Sequence, residues 1–186
     1  MKFSFFILLI IISINCTPEQ KNNHNSKPDM ESISQDFDFA LGEWNIQNKR
    51  RKEWLANKDE WFDFPATAKI WKHLNGMMVL DKFTTTKDRQ TNVGGSFRVF
   101  NKNTGEWSIY FASTAYPDMG LIPQAKGRFN GDVGEFFGEE EFNGKMVKLK
   151  FIWKKNMNGN PYWEQAYFDE SKQEWETNWK MYFSKK

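Results

Sequence analysis

The chain has 186 residues, of which 26 are Lys or Arg and 24 are Asp or Glu, for a formal net charge of +2. That near balance excludes the concentrated basic surface of a nucleic-acid binder. One cysteine in the whole chain excludes a disulfide framework, a CxxC redox pair and a cysteine zinc site, so stability must come from packing.

The first element is an apolar run from Phe3 to Ile14 behind a single basic residue, Lys2, and separated from Cys16 by Asn15 alone. It is far shorter than the ~20 residues a membrane-spanning helix needs, but it fits the core of a secretory signal. A cysteine at that point resembles the lipid-modified first residue of a mature bacterial lipoprotein. The resemblance implies cleavage after Asn15, acylation of Cys16 by diacylglycerol and palmitate-type chains, and attachment to a membrane facing outside the cytoplasm. Ser13 and Asn15 stand where that signal usually carries leucine and a small residue, so ordinary secretion with an incidental free thiol is the alternative. Loss of residues 1–15 removes only Lys2 from the charged set and leaves the remainder close to neutral.

Thr17 to Asp36 is built from Asn, Ser, Lys, Glu and Pro with almost no apolar side chain, a composition that cannot offset its own ordering. With Cys16 it reads as a flexible tether over 16–36, spanning on the order of 25 Å as a random coil. Residues 37–186 then form one domain with one core.

Within that domain a short turn is expected around Phe37 to Leu41, and strands after it. Asn75-Gly76, Thr104-Gly105, Asn130-Gly131, Asn143-Gly144 and Asn158-Gly159 recur between runs rich in Phe, Trp, Tyr, Val and Ile, which is a hairpin signature. The pattern predicts about ten antiparallel strands, near residues 41–52, 64–73, 77–86, 95–101, 106–114, 121–129, 132–141, 145–155, 161–168 and 175–184. The basic run Lys49-Arg50-Arg51-Lys52, diluted by Glu53 and Asp59, reads as a solvated strand end. Val147, Leu149, Phe151 and Trp153 share one strand face opposite Lys148, Lys150 and Lys154. The last strand repeats the rule with Trp175, Trp179, Met181 and Phe183 opposite Glu176, Asn178 and Lys180. The strand holding Trp163, Gln165 and Tyr167 mixes aromatic and polar residues on both faces and resists orientation. A long meander with short connections and one wet face is expected to close into an all-β barrel, with a two-sheet sandwich as the alternative.

Leu41-Gly42-Glu43-Trp44 resembles the glycine-x-tryptophan opening of the calycin barrels, the group of lipocalins, fatty-acid-binding proteins and nitrobindins. Further segments extend the likeness: Gly94-Gly95-Ser96-Phe97-Arg98, Thr104-Gly105-Glu106-Trp107-Ser108-Ile109-Tyr110, Trp163-Glu164-Gln165-Ala166 and Trp175-Glu176-Thr177-Asn178-Trp179-Lys180-Met181. With these the domain is similar to a bacterial family of unassigned function over roughly Phe37 to Phe183. The resemblance implies a calycin-like, nitrobindin-like up-and-down barrel and assigns no activity.

The residues carry no nucleophile elbow, phosphate loop, zinc helix or dinucleotide fingerprint; Gly131-Asp132-Val133-Gly134 is a turn without a following GK[ST]. Glu139-Glu140-Glu141 reads as a solvated strand end rather than a cation site, because consecutive strand residues face opposite ways. His24 falls in the tether, leaving His73 alone in the folded part. Nitrobindin-like barrels bind haem through a histidine near the carboxyl end, and none follows position 73, so neither haem nor a metal is expected.

What the chain has in excess is aromatic surface, with 9 Trp, 18 Phe and 5 Tyr. Most of it is expected to pack as core, yet a closed barrel of about ten strands is wider than its side chains readily fill. A cavity with apolar walls and a few polar groups is therefore expected. Its candidate walls are Trp44, Trp71, Trp107, Trp153, Trp163 and Trp179, and its candidate polar groups Arg98, Glu164, Gln165, Glu176 and Asn178. The alternative for Arg98 is the structural arginine that lipocalin-like barrels pack over a tryptophan. The expected function is binding of a small apolar or amphipathic molecule at the cell envelope. One alternative is an isomerase or hydrolase using Glu164 or Glu176 as general base in a dry cavity. Another is a glycan or protein interaction module with tryptophans on its outer wall.

Overall fold

The computed structural model of the chain describes residues 35–87, 90–118 and 123–186. The signal segment, Cys16 and nearly all of the tether lie outside the described residues, as do the first two positions of the sixth expected strand.

Ten strands make up the domain: β1 (Gly42–Arg51), β2 (Trp61–His73), β3 (Met78–Lys87), β4 (Gln90–Asn101), β5 (Glu106–Ser113), β6 (Pro123–Asn130), β7 (Val133–Phe142), β8 (Lys145–Met157), β9 (Asn160–Asp169) and β10 (Glu174–Lys185). Each is antiparallel to its neighbour in sequence, and β1 also pairs with β10, so the sheet closes into a barrel. Closure, not a two-sheet sandwich, removes the free edges. The largest departure from expectation is β4, which begins at Gln90 because the turn-like segment Thr91-Asn92-Val93-Gly94 is drawn into register with Phe83 to Thr86.

The hairpin signals act as expected where both turn residues must take positive φ. Asn143 and Gly144 lie at φ 51° and 76°, a pair that suits the tight two-residue connection between β7 and β8. The only helical pieces among the described residues are 3₁₀ turns, Asp38–Ala40 before β1 and Leu74–Gly76 between β2 and β3.

Up-and-down connectivity gives the barrel two unlike ends. The 3₁₀ turn Asp38–Ala40, the carboxyl end of β10 and the short β2–β3, β4–β5, β6–β7 and β8–β9 connections meet at one end. That end is filled. Phe37 is fully buried, edge-on at 5.0 Å to both Trp107 and Phe129, 6.0 Å from Trp153 and 6.1 Å from Phe136. Gly134 makes room for this packing: a Cβ there would lie 2.8 Å from the Phe129 ring. The turn is tied to the wall by Trp44 Nε1 donating to Ala40 O at 2.8 Å and Trp107 Nε1 donating to Asp36 Oδ2 at 3.2 Å. Lys185 Nζ sits 3.8 Å from the Trp44 ring centre and donates to Leu41 O. The cation over the opening tryptophan is thus Lys185; Arg98 lies instead over Phe37 and Trp153.

Side-chain parity follows expectation in β8, whose Leu149, Phe151 and Trp153 point into the core. In β10 it breaks. The register with β9 slips between Thr177 and Trp179, which turns Trp175 outward beside Phe168 and Phe137 while Trp179, Met181 and Phe183 stay on the inner side. Strand β9 is oriented by its partners: Trp163, Gln165 and Tyr167 share the inner face, and Tyr162, Glu164, Ala166 and Phe168 the outer. Its two-faced composition has a physical cause, since Tyr162 and Ala166 are buried on the outside too, with Tyr182 and Lys154 against the Tyr162 ring.

Candidate functional site

The other end of the barrel carries the longer connections and a different chemistry. Here the carboxyl ends of β1, β7 and β9 and the start of β10 bring Arg50, Glu140, Tyr167 and Glu176 together below the β1–β2 loop, residues 52–60. The loop folds over the opening. Trp54 stacks on Phe142 at 5.6 Å and meets Tyr167 edge-on at 5.1 Å. The Leu55 N–H donates to Glu176 Oε1 at 2.8 Å, and Lys172 Nζ to Asn57 Oδ1 at 2.9 Å. Leu55 and Asn57 take φ of 55° and 57°, a region that suits asparagine but strains leucine.

Beneath Trp54 the Arg50 guanidinium lies 4.4 Å from the Trp54 ring centre and 5.0 Å from that of Trp179. Among the described residues no carboxylate oxygen lies within 4 Å of it. Burial pushes Arg50 below its ordinary range, opposed by Tyr116, Tyr167 and Glu140, and it remains charged. Burial likewise raises the Glu140 carboxyl above its usual value, against the lowering effects of the Tyr167 hydroxyl, which donates to Glu140 Oε1, and of Arg50. Desolvation and that same bond raise the Tyr167 hydroxyl.

Below this roof the wall is mixed. Trp163 and Trp179 meet edge-on at 5.6 Å, and Phe151 lies 5.3 Å from Trp163. Trp179 Nε1 donates to Asn48 Oδ1, whose amide in turn donates to Phe64 O. Gln165 is buried between Phe151 and Trp179 in register. Asn178, the residue at the slip in β10, is fully buried with no hydrogen-bond partner for either amide atom. Arg98, 4% exposed, binds Asp81 Oδ2 at 2.5 Å, while its Nε and Nη1 have no partner. Buried donors left open cost about 1–3 kcal/mol each unless a ring face, water or ligand takes them.

The sequence-expected residues therefore divide into groups. Trp44, Trp107 and Trp153 belong to the filled end, Trp163, Trp179 and Gln165 to the middle wall, and Arg98 lies over the Phe37 plug. Trp71 is 40% exposed on the outer face, and Glu164 also faces out, held by the Tyr162 hydroxyl at 2.5 Å. A dry cavity around Glu164 is thus not formed, and Glu176 is occupied with the loop. Arg50, Trp54, Glu140 and Tyr167 were missed. Two of them hide in the charged runs 49–52 and 139–141, and the usable signal was that an alternating strand must turn one member of each run inward. On the outer wall Phe137, Phe168 and Trp175 form an aromatic strip flanked by Lys148 and Lys150, beside a groove of about 430 Å³.

No model of a known protein family matches this chain, and no curated protein is significantly similar to it.

Proposed function

We propose that this is a lipid-anchored envelope protein whose calycin-like barrel binds a small apolar or amphipathic molecule between the Phe37 plug and the Trp54 roof. The observation that carries the reading is the contrast between the two ends. One is closed by interlocking aromatic rings, and the other buries Tyr167 and Gln165 and half-buries Arg50 and Glu140 beneath the β1–β2 loop. A barrel that existed only to be filled would gain nothing from polar groups there, because each loses hydration when buried. Trp163 and Trp179 supply apolar wall, and Asn48, Gln165 and Asn178 supply fixed polar contacts, the mixture that small-molecule sites use. The Gly-x-Trp opening, with Trp44 bonded to the 3₁₀ turn and capped by Lys185, supports the calycin assignment.

Every strand among the described residues and the plug lie within residues 35–186, so a chain starting at Thr17 contains them all. Native mass spectrometry of that chain, beside a denatured control, tests the reading. A discrete added mass lost on denaturation is the expected result. Bare protein that also excludes apolar dyes would overturn it and move the function to the outer aromatic strip of Phe137, Phe168 and Trp175.

A further inference from the structure

We propose that the outer wall of the barrel carries a site of its own, a trough centred on Trp175 that binds a linear acidic polysaccharide. Its pyranose rings pack on the indole and its carboxylates meet Lys150 and Lys180. The site is independent of anything held inside the barrel. Two grooves meet at Trp175. One, of about 480 Å³, is lined by Arg51, Trp61, Lys172, Glu174 and Lys180 among others, and its neighbour, of about 430 Å³, by Phe137, Glu139 and Lys148. Together they follow the wall from β7 to β2, five strand spacings or about 24 Å of curved surface, which suits an extended polymer better than a compact molecule.

The fold places Trp175 on the surface at a cost. Strict alternation would point it inward with Trp179 and Phe183, but the slip in β10 turns it out and leaves Asn178 buried with no partner for either amide atom. Bulges that re-aim one side chain recur beside binding sites. The indole so exposed is held by Phe137 and Phe168, tilted against it at 6.1 and 5.3 Å. A fixed ring face, negative in its quadrupole, receives the weakly positive C–H bonds of a sugar ring. Asn57, Thr177 and Glu174 in the larger groove supply the donors and acceptors that sugar hydroxyls need.

The sign of the ligand follows from the charges left over. Arg51, Lys58, Lys148 and Lys172 in these grooves already pair with Asp59, Glu53, Glu170 and Asp169. Lys150 Nζ lies instead 4.7 Å from the Trp175 ring centre and Lys180 Nζ 5.0 Å from that of Trp61. Among the described residues neither has a carboxylate oxygen within 4 Å. Glu139 stands opposite Lys148 in register, so the smaller groove is near neutral and the spare positive charge lies beside Trp175. A lysine resting on a ring is on a flexible stem and exchanges that weak contact for a carboxylate. An arriving uronate therefore takes the ring face and the ammonium together.

The experiment is a calorimetric titration of the chain starting at Thr17 with a linear hexagalacturonate and with its fully methyl-esterified form, which keeps the rings and loses the charge. In the unaltered protein the acid should bind at least about tenfold more tightly than the ester, and the difference should shrink as salt is added. Lys150→Gln with Lys180→Gln should abolish that ratio by weakening the acid alone. Trp175→Ala should weaken both forms by about tenfold, while Trp71→Ala, on the outer wall at the filled end, should change neither. Equal affinity for acid and ester, or no binding of either, in the unaltered protein would overturn the proposal, a result that does not depend on whether any variant folds. Undiminished binding by Trp175→Ala would overturn the site. Binding to vesicles of phosphatidylglycerol with none to the hexamer would overturn the polysaccharide and make this wall a membrane-facing surface.

Discussion

Replacing Phe37 with alanine tests the aromatic plug directly. The side chain is fully buried and touches four inward rings, two of them edge-on at 5.0 Å, and the Arg98 guanidinium lies 5.1 Å from its centre. Truncation of a buried phenylalanine costs about 3–5 kcal/mol when its surroundings do not collapse. Here they cannot readily do so, because Trp107, Phe136 and Trp153 are fixed on three different strands. Lost edge-to-face contacts act in the same direction at about 0.5–1.5 kcal/mol per pair, without adding fully. The expected loss is about 4 kcal/mol, or about 8–16 °C in Tm for a domain of this size. Urea denaturation followed by tryptophan fluorescence and far-ultraviolet circular dichroism measures it, with Phe37→Leu as a milder companion. A loss below about 1 kcal/mol would refute the plug, since so small a value belongs to surface substitutions.

Asp81→Asn removes the carboxylate that pairs with Arg98 inside the barrel, where both side chains are under 10% exposed, and should cost about 3–5 kcal/mol in urea melts. The paired change Arg98→Met with Asp81→Leu should recover much of that loss, because no charge is then left buried without a partner. Glu140, raised by burial above its usual range, binds its proton more tightly folded than unfolded, so its contribution to stability is present below about pH 4.5 and is lost as pH rises through its folded value. Asp36 acts in the same sense. The stability difference between the wild-type chain and Glu140→Gln isolates the first group, and it should favour the wild type progressively less as pH increases. Cys16→Ser in the full chain should abolish acyl labelling and release the protein from membranes, and persistent labelling would sink the lipoprotein reading.

Strand order and closure were legible because each Asn-Gly pair marks a turn and each intervening run alternates. Where legibility failed, local events were responsible. The slip at Asn178 shifts the phase of β10, so Trp175 leaves the core and Glu176 turns to the loop, which strict alternation could not foresee. The buried outer face of Tyr162 and Ala166 disguised β9. At the site, the aromatic walls were anticipated as residue types, but the aromatic plug at one end was not, because it depends on Phe37 entering from outside the sheet. Arg50 and Glu140 were masked by like-charged neighbours that do face water, and Trp54 sits in a loop where no periodicity exists.

Nine of the ten ladders in the ring join strands adjacent in sequence, and only β1 with β10 joins the far ends of the domain, setting Trp44 opposite Lys185. The first nine can zip in succession at small entropic cost, whereas the tenth must gather nearly the whole chain into one loop before any of its hydrogen bonds form. The folding barrier therefore concentrates in that last seam, and the few residues after Met181 act as its clasp: Phe183 against Trp153, Lys185 over Trp44, and the Lys186 N–H on Glu43 O. A chain that had lost only that clasp would keep most of its sheet yet expose two bare strand edges, exchanging a sealed ring for a template on which other copies could pair.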